Sequence, residues 1–155
     1  MKETCNTLRR RESQKAEVVM AIEILLVEDN AGDAVLIRQI LADAAVPVNL
    51  HIVRDGEQAL TLLSDAHFQP ALIILDLNIP RISGTALLQR WKSQNIPVVV
   101  FSSSLNDVER TRVLERGALE FVQKPTDLEA FAAAVSGIVQ RYGGPGNKTA
   151  GGACA

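Results

Sequence analysis

Four apolar runs in this chain end on residues able to do polar chemistry. Ala71-Leu72-Ile73-Ile74-Leu75 leads into Asp76, and Ile22 to Val27, broken only by Glu23, leads into Glu28-Asp29. Pro97 to Phe101 leads into Ser102, and Leu119 to Gln123 into Lys124-Pro125. Runs of this kind read as strands buried on both faces of a parallel sheet. A charge at the end of such a strand must be paired, liganded or placed at an open edge, because burying it alone is expensive. In a parallel sheet the four ends lie along one edge, where open α/β folds place their sites. Three acids, a hydroxyl and an amine then converge.

The acids come first. Like charges in one pocket resist joint ionisation, and a hard divalent cation relieves them. Mg²⁺ takes a few carboxylates or carbonyls and keeps several waters, so Glu28, Asp29 and Asp76 are candidate ligands. The backbone carbonyl of Asn78 is a fourth, by position rather than residue type. Helix capping is the other use for an acid here, and either Asp29 or Asn30 can cap the helix that follows. Lys124, directly after a strand and before a proline, can reach Asp76 and pair with it. A snorkelling surface lysine is the blander alternative. Ser102 offers a hydroxyl donor to the same centre, or serves as a turn serine.

The elements between these residues alternate. Strands are expected at about 23–27, 49–53, 71–75, 97–101 and 119–123. Helices are expected at about 31–45, with Leu36, Ile37, Ile40 and Leu41 at helical spacing, at about 106–116, and from 126 or 127 to near 142. One more opens at Asp55-Gly56 with Ala59, Leu60 and Leu63 on one face, and one at Ser83-Gly84 with Leu87, Leu88 and Trp91 inward. Asp55 and Ser83 are placed to cap the second and third helices, and Thr126 or Asp127 the last. Gly117 stands where a left-handed residue closes the fourth. Strict β-α alternation argues for a doubly wound parallel α/β sheet with helices on both faces and right-handed crossovers.

The chain has 155 residues, 47% of them hydrophobic, enough for one domain with a sizeable core. No apolar stretch reaches the roughly 18–20 residues of a membrane span, so no membrane role is expected. Residues 1–21 read as a disordered lead, with either Met1 or Met20 as the start, and the glycine-rich 143–155 as a disordered tail. The lead has no apolar signal segment, which points to the cytoplasm. Cys5 and Cys154 both fall in the tails, so a disulfide framework is not expected. Net charge is −2 over the chain but −5 over 22–142, with ten basic and fifteen acidic residues. An acidic body does not suit a nucleic-acid surface. The Arg9-Arg10-Arg11 run reads as a solvated arm.

Glu28-Asp29, Asp76, Ser102 and Lys124-Pro125, in this order on this framework, resemble the receiver domain of two-component response regulators. Leu25-Leu26-Val27-Glu28-Asp29-Asn30, Asp76-Leu77-Asn78-Ile79-Pro80 with Gly84, and Gly117-Ala118 ahead of Phe121 carry the resemblance further, over about residues 22–142. It implies a flavodoxin-like fold with strand order 2-1-3-4-5. It implies that Asp76 accepts a phosphoryl group from a phosphohistidine of a sensor histidine kinase, with Mg²⁺ on the acids and Lys124 and Ser102 on the phosphoryl oxygens. It further implies that Ser102 and Phe121 form a switch pair, and that the Lys124–Pro125 bond is cis.

Two residues depart from the commonest pattern. Phe121 stands where tyrosine is frequent, so no phenol is available to a partner, and Ser102 stands where threonine is. The Glu-Asp-Asn start and the Asp-Leu-Asn-Ile-Pro loop resemble regulators that serve bacterial phytochromes, although the longer loops common there are missing. No effector domain is expected after Tyr142. Output is therefore expected through protein, as a downstream target or a homodimer on the helix 4–strand 5–helix 5 face, and not through DNA. The chain is expected to be a phosphoacceptor with self-catalysed transfer and autodephosphorylation, not an enzyme acting on other substrates. A phosphatase using Asp76 would need a second acid at Asn78, and nucleotide binding would need a glycine-rich Lys loop that is missing.

Overall fold

The computed structural model of the chain describes residues 20–144. The Arg9–Arg11 run, both cysteines and most of the expected lead and tail lie outside the described residues. Along the chain run β1 (Ile22–Val27), α1 (Ala31–Ala42), β2 (Val48–Val53), α2 (Gly56–Leu63), β3 (Leu72–Leu75) and α3 (Gly84–Trp91). A 3-10 turn at Lys92–Gln94, β4 (Val98–Ser102), α4 (Asp107–Glu115), β5 (Glu120–Gln123) and α5 (Leu128–Tyr142) complete it. All strand pairs are parallel and the order is β2-β1-β3-β4-β5, the doubly wound flavodoxin-like arrangement expected above. Among the described residues no helix is long and apolar enough to cross a membrane.

Period-two alternation divides the strands between two cores. Leu25, Val27, Ile73, Leu75, Val98 and Val100 face α2, α3 and α4, where Ala59, Leu87, Leu88, Trp91 and Val113 meet them. Ile24, Leu26, Leu72, Ile74, Val99 and Phe101 face α1 and α5, packed on Ala34, Ile37, Leu41, Phe131, Val135 and Ile138. Each fully buried Leu, Ile or Val is worth about 1.5–3 kcal/mol over its exposed state. This two-sided burial is why β3 and β4 carry no polar residue until they end, and β1 only Glu23 at its start.

Helix starts are fixed by side chains. Asn30, Asp55, Ser83, Asn106 and Asp127 each accept a backbone N–H of the first turn, which settles Asn30 over Asp29 and Asp127 over Thr126. Gly117 has φ +108 and closes α4 as expected. Helix α1 stops at Ala42, short of Ala45: the Asp43 N–H closes on the Gln39 carbonyl, and Val46 is pushed out of helical geometry by Pro47.

Gly84 sets how closely α3 approaches the end of β3. A Cβ there would lie 2.9 Å from Leu77 Cδ2, 3.0 Å from Leu77 Cα and 3.2 Å from the Asp76 carbonyl oxygen. Backbone cannot give way as a flexible side chain does. Gly84→Ala should therefore destabilise the protein: about 1–3 kcal/mol of overpacking outweighs the up to about 1 kcal/mol that alanine gains in a helix. Urea unfolding followed by the fluorescence of Trp91 measures this, and a more stable variant would show that the loop yields freely.

Candidate functional site

The sheet ladder runs on past the strand ends and fixes the backbone of the site. The Glu28 N–H donates to the Val53 carbonyl at 3.0 Å, the Asp76 N–H to Val27 at 3.0 Å and the Lys124 N–H to Ser102 at 2.8 Å. In register, Val27 pairs with Val53 and Leu75, so Glu28 and Asp76 leave adjacent strands side by side.

Their side chains meet as the sequence suggested. One carboxylate oxygen from each of Glu28, Asp29 and Asp76 lies within 4.8 Å of the others. Glu28 is 1% and Asp76 6% exposed, while Asp29 is open to solvent. Asp76 Oδ1 accepts the Asn78 N–H at 3.1 Å and Oδ2 accepts Lys124 Nζ at 3.1 Å. Glu28 Oε1 accepts the Asn30 N–H at 3.1 Å.

Lys124 reaches further than Asp76. Its Nζ also donates to Glu28 Oε2 at 2.6 Å and to Asp33 Oδ2 at 2.9 Å. Asp33 was not among the expected site residues. It sits in the first turn of α1, where an acid reads as a complement to the helix dipole, and only the fold brings it to Lys124. No peptide bond among the described residues is cis. The Lys124–Pro125 bond is thus trans, against the expectation, and the lysine is aimed by its backbone bond to Ser102 and by the acids.

Ser102 is fully buried at the end of β4 and its Oγ accepts the Ser104 N–H at 3.4 Å. It makes no hydrogen bond to Asp76, so the structure places the hydroxyl at the same edge without joining the two. Ser104 Oγ bonds Glu109 of α4. Phe121 is buried beside Val100, with the Arg110 guanidinium 5.7 Å from its ring centroid. The loop from Asp76 to Gly84 is braced by Arg81, which has φ 72 and lies 3.0 Å from Glu57 and 3.6 Å from Asp55. Nothing in the residue types pointed to that brace.

Burial pushes the Glu28 carboxyl up to about 7; the hydrogen bond from Lys124 works against this, and the nearby Asp76 adds to it. Burial opposes the Lys124 charge, but hydrogen bonds to Glu28 and Asp33 and the nearby acidic charges more than offset it and raise its pKa. The oxygens suit a hard cation. Mg²⁺ takes a few carboxylates and retains waters; the three acids offer oxygens within 4.8 Å of one another, and one carboxylate faces solvent where waters can join.

The chain matches the response regulator receiver domain over residues 24–136, and it belongs to that family, whose members are phosphoacceptor modules that work with histidine kinases. It is 32% identical over 124 residues to Response regulator Rcp1 of Synechocystis sp., covering 74% of this chain and 84% of that one. It is 30% identical over 125 residues to Regulatory protein VanRB of Enterococcus faecalis, covering 80% of this chain and 55% of that one. The chain spans about half the length of several curated relatives, VanRB among them. Among solved structures, the phosphorylated cyanobacterial phytochrome response regulator RcpA superposes with TM-score 0.75 at 33% identity, covering 79% of this chain and 94% of that one. The Mn²⁺-bound form of Rcp1 gives 0.74 at 30% identity, with the same coverage.

Without metal, the raised Glu28 pKa has a definite stability signature. The carboxyl is held more readily protonated in the folded state than in the unfolded chain. Its stabilising share is full below about 4.5 and is lost as pH rises through about 7. Glu28→Gln does not titrate. In chelator, the melting temperature of Glu28→Gln relative to the parent should climb between those pH values and be flat below them. A difference that stays flat throughout would show that burial does not hold the proton on Glu28.

Proposed function

We propose that the chain takes a phosphoryl group onto Asp76 from a phosphohistidine of a sensor histidine kinase and passes the signal on through protein contacts. The observation that carries this is the setting of Asp76: a buried carboxylate at a strand end, held by the Asn78 N–H and Lys124 beside two more acids. A carboxylate brings its own electron pair and needs no base. An oxygen of Asp76 attacks phosphorus, the P–N bond breaks, and its electron pair stays on the imidazole nitrogen. Glu28, Asp29, Asp76 and the Asn78 carbonyl would hold Mg²⁺, which would supply positive charge to the site. Phosphoryl transfer depends mainly on such positioning and electrostatics.

Lys124 is within reach to donate to a phosphoryl oxygen as it now donates to Asp76. Ser102 gives its hydroxyl proton to no acceptor among the described residues, so it is available for another. A phytochrome-type kinase as the input is supported by the likeness to RcpA and Rcp1. The acidic body supports output through protein, as a partner or a second copy, and not DNA.

With acetyl phosphate and Mg²⁺, the parent should gain one phosphoryl group by intact mass. Asp76→Asn should gain none, and Asp29→Ala should need far more Mg²⁺ for the same extent. Single-site labelling that persists in Asp76→Asn would sink the assignment.

The face formed by α4, β5 and α5 is the proposed readout, because Ser102 and Phe121 border it. A phosphoryl group shifts a population only through contacts that differ between two states. Hydrogen exchange with and without a phosphoryl mimic should change most across residues 102–123. Changes confined to α1 and α2 would overturn this choice of face.

A further inference from the structure

We infer that Arg81 is a positioning residue for the cation site: a strained turn, held by Arg81 against Asp55, sets where the loop after Asp76 carries the Asn78 carbonyl. This rests on the reading of Asp76 and the Asn78 carbonyl as cation ligands. The Ile82 N–H donates to the Pro80 carbonyl at 3.0 Å, and Arg81 between them has φ 72. A hydrogen bond spanning two residues about a positive φ makes a γ-turn of the rare, strained kind. Glycine would adopt that backbone freely, and arginine does not. Something outside the turn must therefore hold it.

The hold comes from the start of α2. Ile82 sits so close to Gly56 that a Cβ on the glycine would lie 2.6 Å from Ile82 Cβ and 2.8 Å from its carbonyl oxygen. The Arg81 side chain donates to Glu57 at 3.0 Å and lies 3.6 Å from Asp55 Oδ2. Burial ranks the two acids. The Glu57 side chain is 59% exposed, and a pair so open to water contributes little. The Asp55 side chain is 12% exposed, and its Oδ1 caps α2 by accepting the Gln58 N–H. Without Arg81 that mostly buried charge would lose its ion pair.

Pro80 links the turn to the site. Its ring fixes φ, so that dihedral cannot absorb a change at Arg81, and the change passes back toward Ile79 and Asn78. Asp76 does not follow, because its N–H is bonded to the Val27 carbonyl. Loss of the brace therefore shifts the Asn78 carbonyl relative to the acids and weakens the cation site.

The test is calorimetric titration of the full chain with Mg²⁺. The parent is compared with Arg81→Ala and with Asp55→Asn, which keeps a good helix cap and loses the charge. Both variants should bind Mg²⁺ about fivefold more weakly, the effect of relaxing strain at the low end of its usual range. Combined, they should bind no more weakly than either alone, since both break one contact. Arg81→Lys keeps the charge and should recover part of the affinity. Charge alone gives another pattern: removing a cation tightens Mg²⁺ binding and removing an acid loosens it. Tighter binding by Arg81→Ala would therefore overturn the inference, and so would losses that add in the double variant. Unchanged affinity in either variant, with only the melting temperature lowered, would also overturn it, because the brace would then support the fold alone. If the parent itself takes up no Mg²⁺, the reading of the cation site fails and the role of Arg81 goes with it.

Discussion

The Lys124 ammonium is hydrogen-bonded to carboxylates from three separate segments: Glu28 after β1, Asp33 in α1 and Asp76 after β3. No two of these acids would sit comfortably together at neutral pH without it. Removing one partner from a buried ion pair costs about 3–5 kcal/mol, because the charge left behind has neither water nor a mate. Even with the lysine in place the balance is incomplete. Counting Asp29, four carboxylates face one ammonium, and burial leaves the Glu28 carboxyl raised to about 7. The site is thus short of positive charge, which is the physical reason a divalent cation suits it.

That balance is tolerable only because the backbone does not move to relieve it. Glu28, Asp76 and Lys124 are each pinned by one further ladder bond beyond the end of a strand. The strands are held in turn by two apolar cores, one on each sheet face. Every helix begins at the same edge, with its cap satisfied by a side chain of the incoming loop. The crowding of acids adds to burial in raising the Glu28 pKa.

Much of this was legible in the chain because strand ends are marked by composition. A run such as Leu72–Leu75 can tolerate no polar residue, so the first one, Asp76, announces both the end of the strand and the position of a site. The same logic located Glu28, Ser102 and Lys124, and alternation then supplied the sheet. Two contributors escaped it. Asp33 looks like any first-turn acid, and its contact with Lys124 depends on where α1 is laid across the sheet, which no local pattern records. Arg81 is an exposed loop arginine by type; its positive φ and its pairing with Asp55 and Glu57 exist only in the folded loop. Short-range patterns fix what a segment is, whereas contacts across ninety residues are fixed by packing.

The same packing explains why α4 is the element best placed to respond to the site. Its one buried side chain is Val113, so it lies on the sheet with little apolar anchorage. What holds its first turn comes from the site edge: Ser104, whose N–H is bonded to Ser102 Oγ, bonds Glu109, and Arg110 lies over Phe121. Glu109 and Arg110 are neighbours, so one turn of helix touches both the loop that follows Ser102 and the strand that leads to Lys124. Elements with few buried contacts open at low free-energy cost. The contacts that tie α4 to the end of β4 and to β5 are thus polar and aromatic, and its apolar anchorage is Val113 alone.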